Sequence, residues 1–150
     1  MTSPQHENAY KDTIQLSTKN DTYLVENEPL YNILNLIYNY EFKGYWNKRY
    51  KGYWQIQNNN LFLTQITGSI NDKPINLKRF ANDINIEIAE MGIFASWYSD
   101  KLKILKEQDY VYNDVAEPVY VLDTYLMITI EKGRVVNITE IEEQKDILPF

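Results

Sequence analysis

The chain has 150 residues, with 15 Lys and Arg against 21 Asp and Glu, for a formal charge of −6 at pH 7 and a pI near 4.8. It is 44% hydrophobic and 24% charged, a balance that suits a globular domain and argues against disorder or a coiled coil. It has no cysteine, which excludes disulfide scaffolds, thiol nucleophiles, cysteine-ligated zinc and iron–sulfur sites. The lone histidine, His6, lies in a polar N-terminal segment, so a histidine metal site or catalytic triad is not expected.

One domain is expected at this length, and no apolar run of about 18 residues is present to form a membrane helix. Met1 to Glu7 shows no basic region followed by an apolar run, so no secretory signal is read and the cytoplasm is the expected compartment. Frequent Ile and Asn point to an AT-rich bacterial genome. Thirteen Tyr and three Trp suit pleated, half-buried surfaces.

In chain order, the first ten or so residues are expected to be loose. Thr13 to Val25 reads as a hairpin turning at Lys19-Asn20-Asp21. Glu28-Pro29 can open a helix, and Leu30, Ile33, Leu34, Ile37 and Tyr38 then fall at helical spacing. Tyr50, Gly52, Trp54 and Ile56 alternate with Lys51, Tyr53, Gln55 and Gln57, a strand that turns at Asn58-Asn59-Asn60 and returns over Leu61 to Thr67. Asp72-Lys73-Pro74 breaks the sheet, Leu77 to Phe80 forms one turn of helix, and Asn85 to Glu90 is a strand or an irregular edge. Ile93 to Tyr98 reads as a short strand, with a turn at Ser99-Asp100 and Leu102, Ile104 and Leu105 as its partner. Pro118 to Val121 and Thr124 to Ile130 are extended. Glu131 to Arg134 is a tight turn in which Gly133 supplies positive φ, Val135 to Ile141 returns, and the acidic tail from Glu142 is frayed. Strands joined by connections too short for repeated parallel crossovers predict an α+β domain around a mainly antiparallel sheet.

Charge is uneven. Glu41 to Tyr53 holds Lys43, Lys48, Arg49 and Lys51 against one acid, whereas from Glu107 onward ten acids face three bases. Nucleic-acid binders need the opposite balance; an acidic half suits a basic protein partner, or solubility alone.

No phosphate loop, nucleophile elbow or EF-hand loop occurs. The acids show no spacing that marks a glycosidase pair. Asn20-Asp21-Thr22 and Asn137-Ile138-Thr139 match the glycosylation triplet, which has no meaning in a cytoplasmic protein. Tyr38 to Trp54 interleaves aromatics with cations. Trp54 and Tyr50 share the face of Ile56 and read as core, while Tyr45 and Trp46 fit no periodic element and are as ready for a binding surface as for packing.

The stretch Lys48-Arg49-Tyr50-Lys51-Gly52-Tyr53-Trp54-Gln55-Ile56, followed by Asn58 to Asn60 and Leu61-Phe62-Leu63, resembles a pattern in small uncharacterised bacterial proteins, in which Arg-Gly-Tyr leads to Trp-x-Ile, a turn and Leu-x-Leu. Ala95 to Leu102 is similar to their Ala-x-Trp-x-Ser-Gly-x-Leu. Here Lys51 stands for the usual Arg and Asp100 for the Gly. The resemblance covers residues 48 to 140 and implies no reaction. It implies an immunity role, because such proteins are often encoded beside polymorphic toxins.

The expected function is therefore a non-enzymatic protein-binding domain, an immunity protein for a bacterial toxin such as a nuclease, with no cofactor, metal, nucleic-acid or membrane partner. Its candidate partner-binding residues are Asp109, Asp114, Glu117, Asp123, Tyr45 and Trp46, with Glu140, Glu142 and Glu143 as second choices. The alternatives are a sugar- or small-molecule-binding module using Tyr45, Trp46, Tyr53 and Gln55, and an enzyme built on two converging carboxylates.

Overall fold

The computed structural model describes residues 9–16 and 21–147; the expectations for residues 1–8, for Lys19 and Asn20, and for the last three residues lie outside it. The elements in order are β1 (Thr13–Leu16), β2 (Thr22–Leu24), α1 (Tyr31–Tyr38), β3 (Tyr50–Gln57), β4 (Asn60–Ile70), β5 (Lys73–Pro74), α2 (Leu77–Ile84), β6 (Ile93–Phe94), β7 (Asp100–Tyr112), β8 (Pro118–Glu131) and β9 (Arg134–Asp146). The fold is α+β, with two helices against one mainly antiparallel sheet. Among the described residues, no helix is long and apolar enough to cross a membrane.

The β3–β4 hairpin turns where asparagine tolerates left-handed backbone, with φ of 53° at Asn58 and 61° at Asn59. Its alternation holds: Tyr50, Gly52 and Trp54 are buried, and Lys51, Tyr53 and Gln55 face the other way, half-buried. Helix α1 buries Leu34 and ends at Asn39 in left-handed conformation; Pro29 falls just ahead of its cap at Leu30.

The sheet runs β2-β1-β3-β4-β9-β8-β7, with β5 and β6 pairing to β4. Among the described strands only β1 and β3 pair in parallel, across a connection long enough to hold β2 and α1. The ends of the sheet meet, because Val25, just after β2, bridges Ile104 of β7 and the Glu26 N–H donates to the Lys103 carbonyl at 2.7 Å. This barrel-like closure covers two strand edges at once and encloses one core containing Ile14, Leu30, Leu63, Phe80, Leu102 and Ile128. Each such side chain withdrawn from water contributes roughly 1.5 to 3 kcal/mol.

Several expectations are corrected. Helix α2 starts after Asn76, whose side chain accepts from the Arg79 N–H at 2.7 Å, and runs to Ile84, where Asn85 in left-handed conformation ends it. Ile84 is thus helical, and of the two readings of Asn85 to Glu90 the strand fails: the segment is irregular, with an isolated bridge from Ala89 to Gly92. Ile93–Phe94 pairs with Phe62 and Leu63 of β4, not with Leu102 to Leu105, whose partner is β8. Asp100 belongs to β7 and not to a turn. Asn71 and Asp72, both at positive φ, turn the chain so that Lys73–Pro74 pairs back onto Ser69 and Ile70. The tail from Glu142 is not frayed: β9 extends to Asp146, paired with β8 as far as Tyr120.

Candidate functional site

Beyond the barrel closure, β7, β8 and β9 continue as a three-stranded arm. Cross-strand register sorts its side chains into two faces. On one, Glu107 and Glu142 lie opposite Thr124, Asp109 and Gln144 opposite Leu122, Val111 and Asp146 opposite Tyr120, and Glu140 opposite Leu126. The row on β8, half-buried Tyr120, Leu122 and Leu126 with buried Thr124 among them, is therefore flanked on both sides by carboxylates. Glu107, Asp109, Glu140, Glu142 and Asp146 are all exposed. One base joins them: Lys106, in a bulge of β7, reaches Glu140 at 3.3 Å. The apolar row is continuous with core residues Ile128 and Ile130 of the same strand, and Ile138 beside it is 55% exposed.

The opposite face is neutralised internally. Gln108 donates to Asp123 Oδ1 at 2.9 Å and Tyr125 to Oδ2 at 3.1 Å; Lys145 sits 3.0 Å from the same carboxylate and donates to the Tyr125 hydroxyl at 3.1 Å. Lys103 pairs with Glu143 at 3.1 Å and lies over the Tyr125 ring. Burial alone would raise the Asp123 carboxyl, but the hydrogen bonds from Gln108, Lys145 and Tyr125 hold it below the usual aspartate range. Hydrogen bonding to Tyr125 and Asp123 raises Lys145 in turn.

The sequence candidates thus fall in different settings. Asp109 lies on the acidic face. Asp114 and Glu117 occupy the exposed β7–β8 turn, where the Asn113 side chain accepts from the Val115 and Glu117 N–H groups at 3.0 Å. Asp123 is 1% exposed, its carboxylate already engaged. Of the second choices, Glu140 and Glu142 share the acidic face and Glu143 does not. Tyr45 is half-buried and donates to Glu28 at 3.1 Å, whereas Trp46 is 57% exposed. Tyr53 lines a cleft with Thr13, Thr22, Lys51 and Thr64, without Tyr45 or Trp46. A second cleft is lined by Lys43 and Arg49 but also by Glu41 and Asp72, so it offers no single sign of charge to a ligand.

Sequence reasoning missed the most buried charges. Lys48, one of the four bases between Glu41 and Tyr53, is fully buried between Asp12 Oδ1 at 3.0 Å and Glu28 Oε1 at 2.9 Å. Asp12 also accepts from the Gly52 N–H at 2.8 Å and Trp54 Nε1 at 2.9 Å, and Glu28 from the Tyr50 hydroxyl at 2.9 Å. Burial lifts Glu28 above the ordinary glutamate range, against the pull of Lys48. The two carboxylates converge, yet neither lines either cleft, and their oxygens are occupied by donors within the fold, the pattern of a structural clamp. Among the described residues no group of three or more His, Asp or Glu could hold a metal ion.

No family model, curated protein or solved structure matches this chain.

The arm is the candidate interface. It is a single layer with one face satisfied by its own charges and one face where half-buried apolar side chains lie beside five exposed carboxylates, of which Glu140 alone has a lysine partner.

Proposed function

We propose that this chain is a non-enzymatic protein-binding domain that captures a basic partner on the acidic face of the arm, acting as a cytoplasmic immunity protein against a bacterial toxin domain such as a nuclease. The observation that carries this reading is the asymmetry of the arm: five exposed carboxylates with one lysine flank an apolar row on one face, while the other face pairs its own charges. Solubility alone would require no such sorting.

A nuclease holds nucleic acid on a basic surface, and an acidic surface of matching shape can cover it, with association steered by charge and specificity set by apolar anchors. The resemblance of residues 48 to 140 to small proteins encoded beside toxins supports the same role. A sugar or small-molecule site on Tyr45, Trp46 and Tyr53 is supported less, because Tyr45 turns into the Glu28 network and Tyr53 lines a cleft without the other two.

The test is co-expression with the product of the adjacent open reading frame in a sensitive host. Growth restored by the wild type and lost on Glu107→Lys with Glu142→Lys is the expected result. An adjacent product that is harmless alone, or rescue that survives the charge reversal, would overturn the proposal.

A further inference from the structure

We infer that the arm engages its partner by strand addition: an extended segment with Lys or Arg at alternate positions pairs with the open edge of β9 between Ile138 and Asp146. This rests on the reading that the acidic face binds a basic protein, and adds the chemistry and geometry of the contact.

The edge is open. On the side away from β8, β9 meets β4 only at its start, where Arg134 pairs with Asn60 and the Val135 N–H donates to the Asn59 carbonyl at 2.8 Å. From Val136 onward no described strand lies beside it. The Ile147 N–H donates to Val119 of the β8 strand at 3.1 Å, and the register from Asn137 to Asp146 is uninterrupted. Alternation then turns the backbone N–H and C=O of Glu140, Glu142, Gln144 and Asp146 away from β8, to a side where no described strand pairs with them. The outer edge of β7 is less suited: it is bridged at Ile104, bulged at Lys106 and interrupted again at Val111–Tyr112, the devices that blunt an edge.

Charge selects the occupant. The residues with outward backbone are those whose side chains stand on the acidic face. A strand added here would place every second residue directly opposite Glu140, Glu142, Gln144 or Asp146, and a cation is favoured at the three carboxylates. Its intervening residues would meet Thr139, the exposed Ile141, Glu143 and Lys145 on the other face; an apolar or β-branched side chain fits at the first two, and the latter two already pair with Lys103 and Asp123. A second copy of β9 would set carboxylate against carboxylate and is repelled. The edge therefore admits a basic, alternating strand, the mode in which main-chain bonds give affinity and alternate side chains give specificity.

The test uses the intact protein and an extended peptide of about ten residues, long enough to run the open edge, alternating lysine and valine. In the proposed pairing the lysine amides face β9 and the valine amides face away. The expected result is amide exchange at Glu140, Glu142 and Gln144 slowed by about tenfold or more, retained when the peptide is N-methylated at its valines and abolished when it is N-methylated at its lysines. If the lysine-methylated peptide binds and protects equally, strand addition is wrong while capture of a basic partner by charge stands. Protection confined to β7 overturns the proposal as well. If no peptide perturbs the arm at low salt, strand addition and the basic-partner reading fail together.

Discussion

The Nζ of Lys48 lies 3.0 Å from Oδ1 of Asp12, both side chains closed to solvent, across 36 positions of sequence. Asp12 precedes β1, and its carboxylate ties the main chain of β3 at Gly52, the indole of Trp54 and the loop lysine together. Breaking such a pair strands a charge, which costs far more than the pair contributes net. Lys48→Met leaves both Asp12 and Glu28 without their cation, and is expected to cost about 3 to 5 kcal/mol in urea unfolding. The exposed Lys106–Glu140 pair provides the contrast, with Lys106→Met costing less than about 1 kcal/mol. Equal losses in the two variants would mean that the clamp is not structural.

Trp54 adds packing to the same clamp. It is 2% exposed and donates to Asp12 Oδ2 at 2.9 Å. Trp54→Ala removes a large buried ring and is expected to cost about 3 to 5 kcal/mol. Trp54→Phe keeps most of the volume but leaves an acceptor of Asp12 unpaired, for a smaller loss of about 1 to 3 kcal/mol. The melting temperatures should fall in that order; a Phe variant as stable as wild type would show that the indole N–H contributes nothing.

Stability should also depend on pH through Asp123. Its native carboxyl is held below the ordinary aspartate value, so the unfolded chain takes up the proton first as pH falls. The stabilisation is full above the ordinary aspartate range and is lost as pH drops through the lowered native value. Asp123→Asn should therefore be less stable than wild type near neutrality, by about 1 to 3 kcal/mol for bonds to a charged group, and the difference should shrink in acid. Urea midpoints for the two proteins that stay parallel across the acid range would contradict this.

What the sequence made legible depended on local signals. The β3–β4 hairpin was readable because alternation and Asn58-Asn59 agree, and the β8–β9 turn because Gly133 sits where φ is 83°. The outer part of β7 was not, because Glu107-Gln108-Asp109 carries polar side chains on both faces of a single layer, where strand periodicity has no hydrophobic contrast to record. Glu142 to Asp146 read as a frayed tail for the same reason. Lys48 could not be told from its neighbours Arg49 and Lys51, because its burial is set by Asp12 and Glu28 from distant segments. The acidic face needed the register: in sequence its residues are mixed with Asp123 and Glu143, which face the other way and are already paired.

Two glycines bear on the frame that holds the arm. A Cβ on Gly133 would stand 2.8 Å from the Ala95 carbonyl oxygen and 2.9 Å from the Phe94 ring, and one on Gly68, at φ 94°, would collide with the Arg49 carbonyl oxygen. Left-handed backbone costs an L-residue about 1 to 2 kcal/mol before any clash. Gly133→Val and Gly68→Ala should both lower the melting temperature, and Gly68→Ala should do so by more than the backbone term alone, since backbone must move to make room. An unchanged melting temperature for Gly133→Val would show that the β8–β9 turn absorbs a branched residue.

The last prediction separates the acidic face from the acidic loop. Sequence alone favours Asp114 and Glu117, which the fold places in the β7–β8 turn, while the register favours Glu107 and Glu142 on either side of the apolar row. Two double variants test them against a basic protein partner: Glu107→Lys with Glu142→Lys, and Asp114→Lys with Glu117→Lys. All four side chains are exposed, so both variants should keep the wild-type melting temperature within about 1 °C per few tenths of a kcal/mol of surface effect. Electrostatic steering raises association rates by about ten- to a thousandfold, and the Debye length falls from about 30 Å at 0.01 M salt to about 8 Å at 0.15 M. At low salt the face variant should associate at least about tenfold more slowly than wild type, and its rate should depend less on salt. The loop variant should fall between them, because its charges act at longer range without touching the apolar row. Dissociation should quicken only for the face variant, because only there does a lysine meet the bound surface. A loop variant slower than the face variant would move the interface to the tip of the arm, and identical rates for all three proteins at low salt would remove the arm from binding altogether.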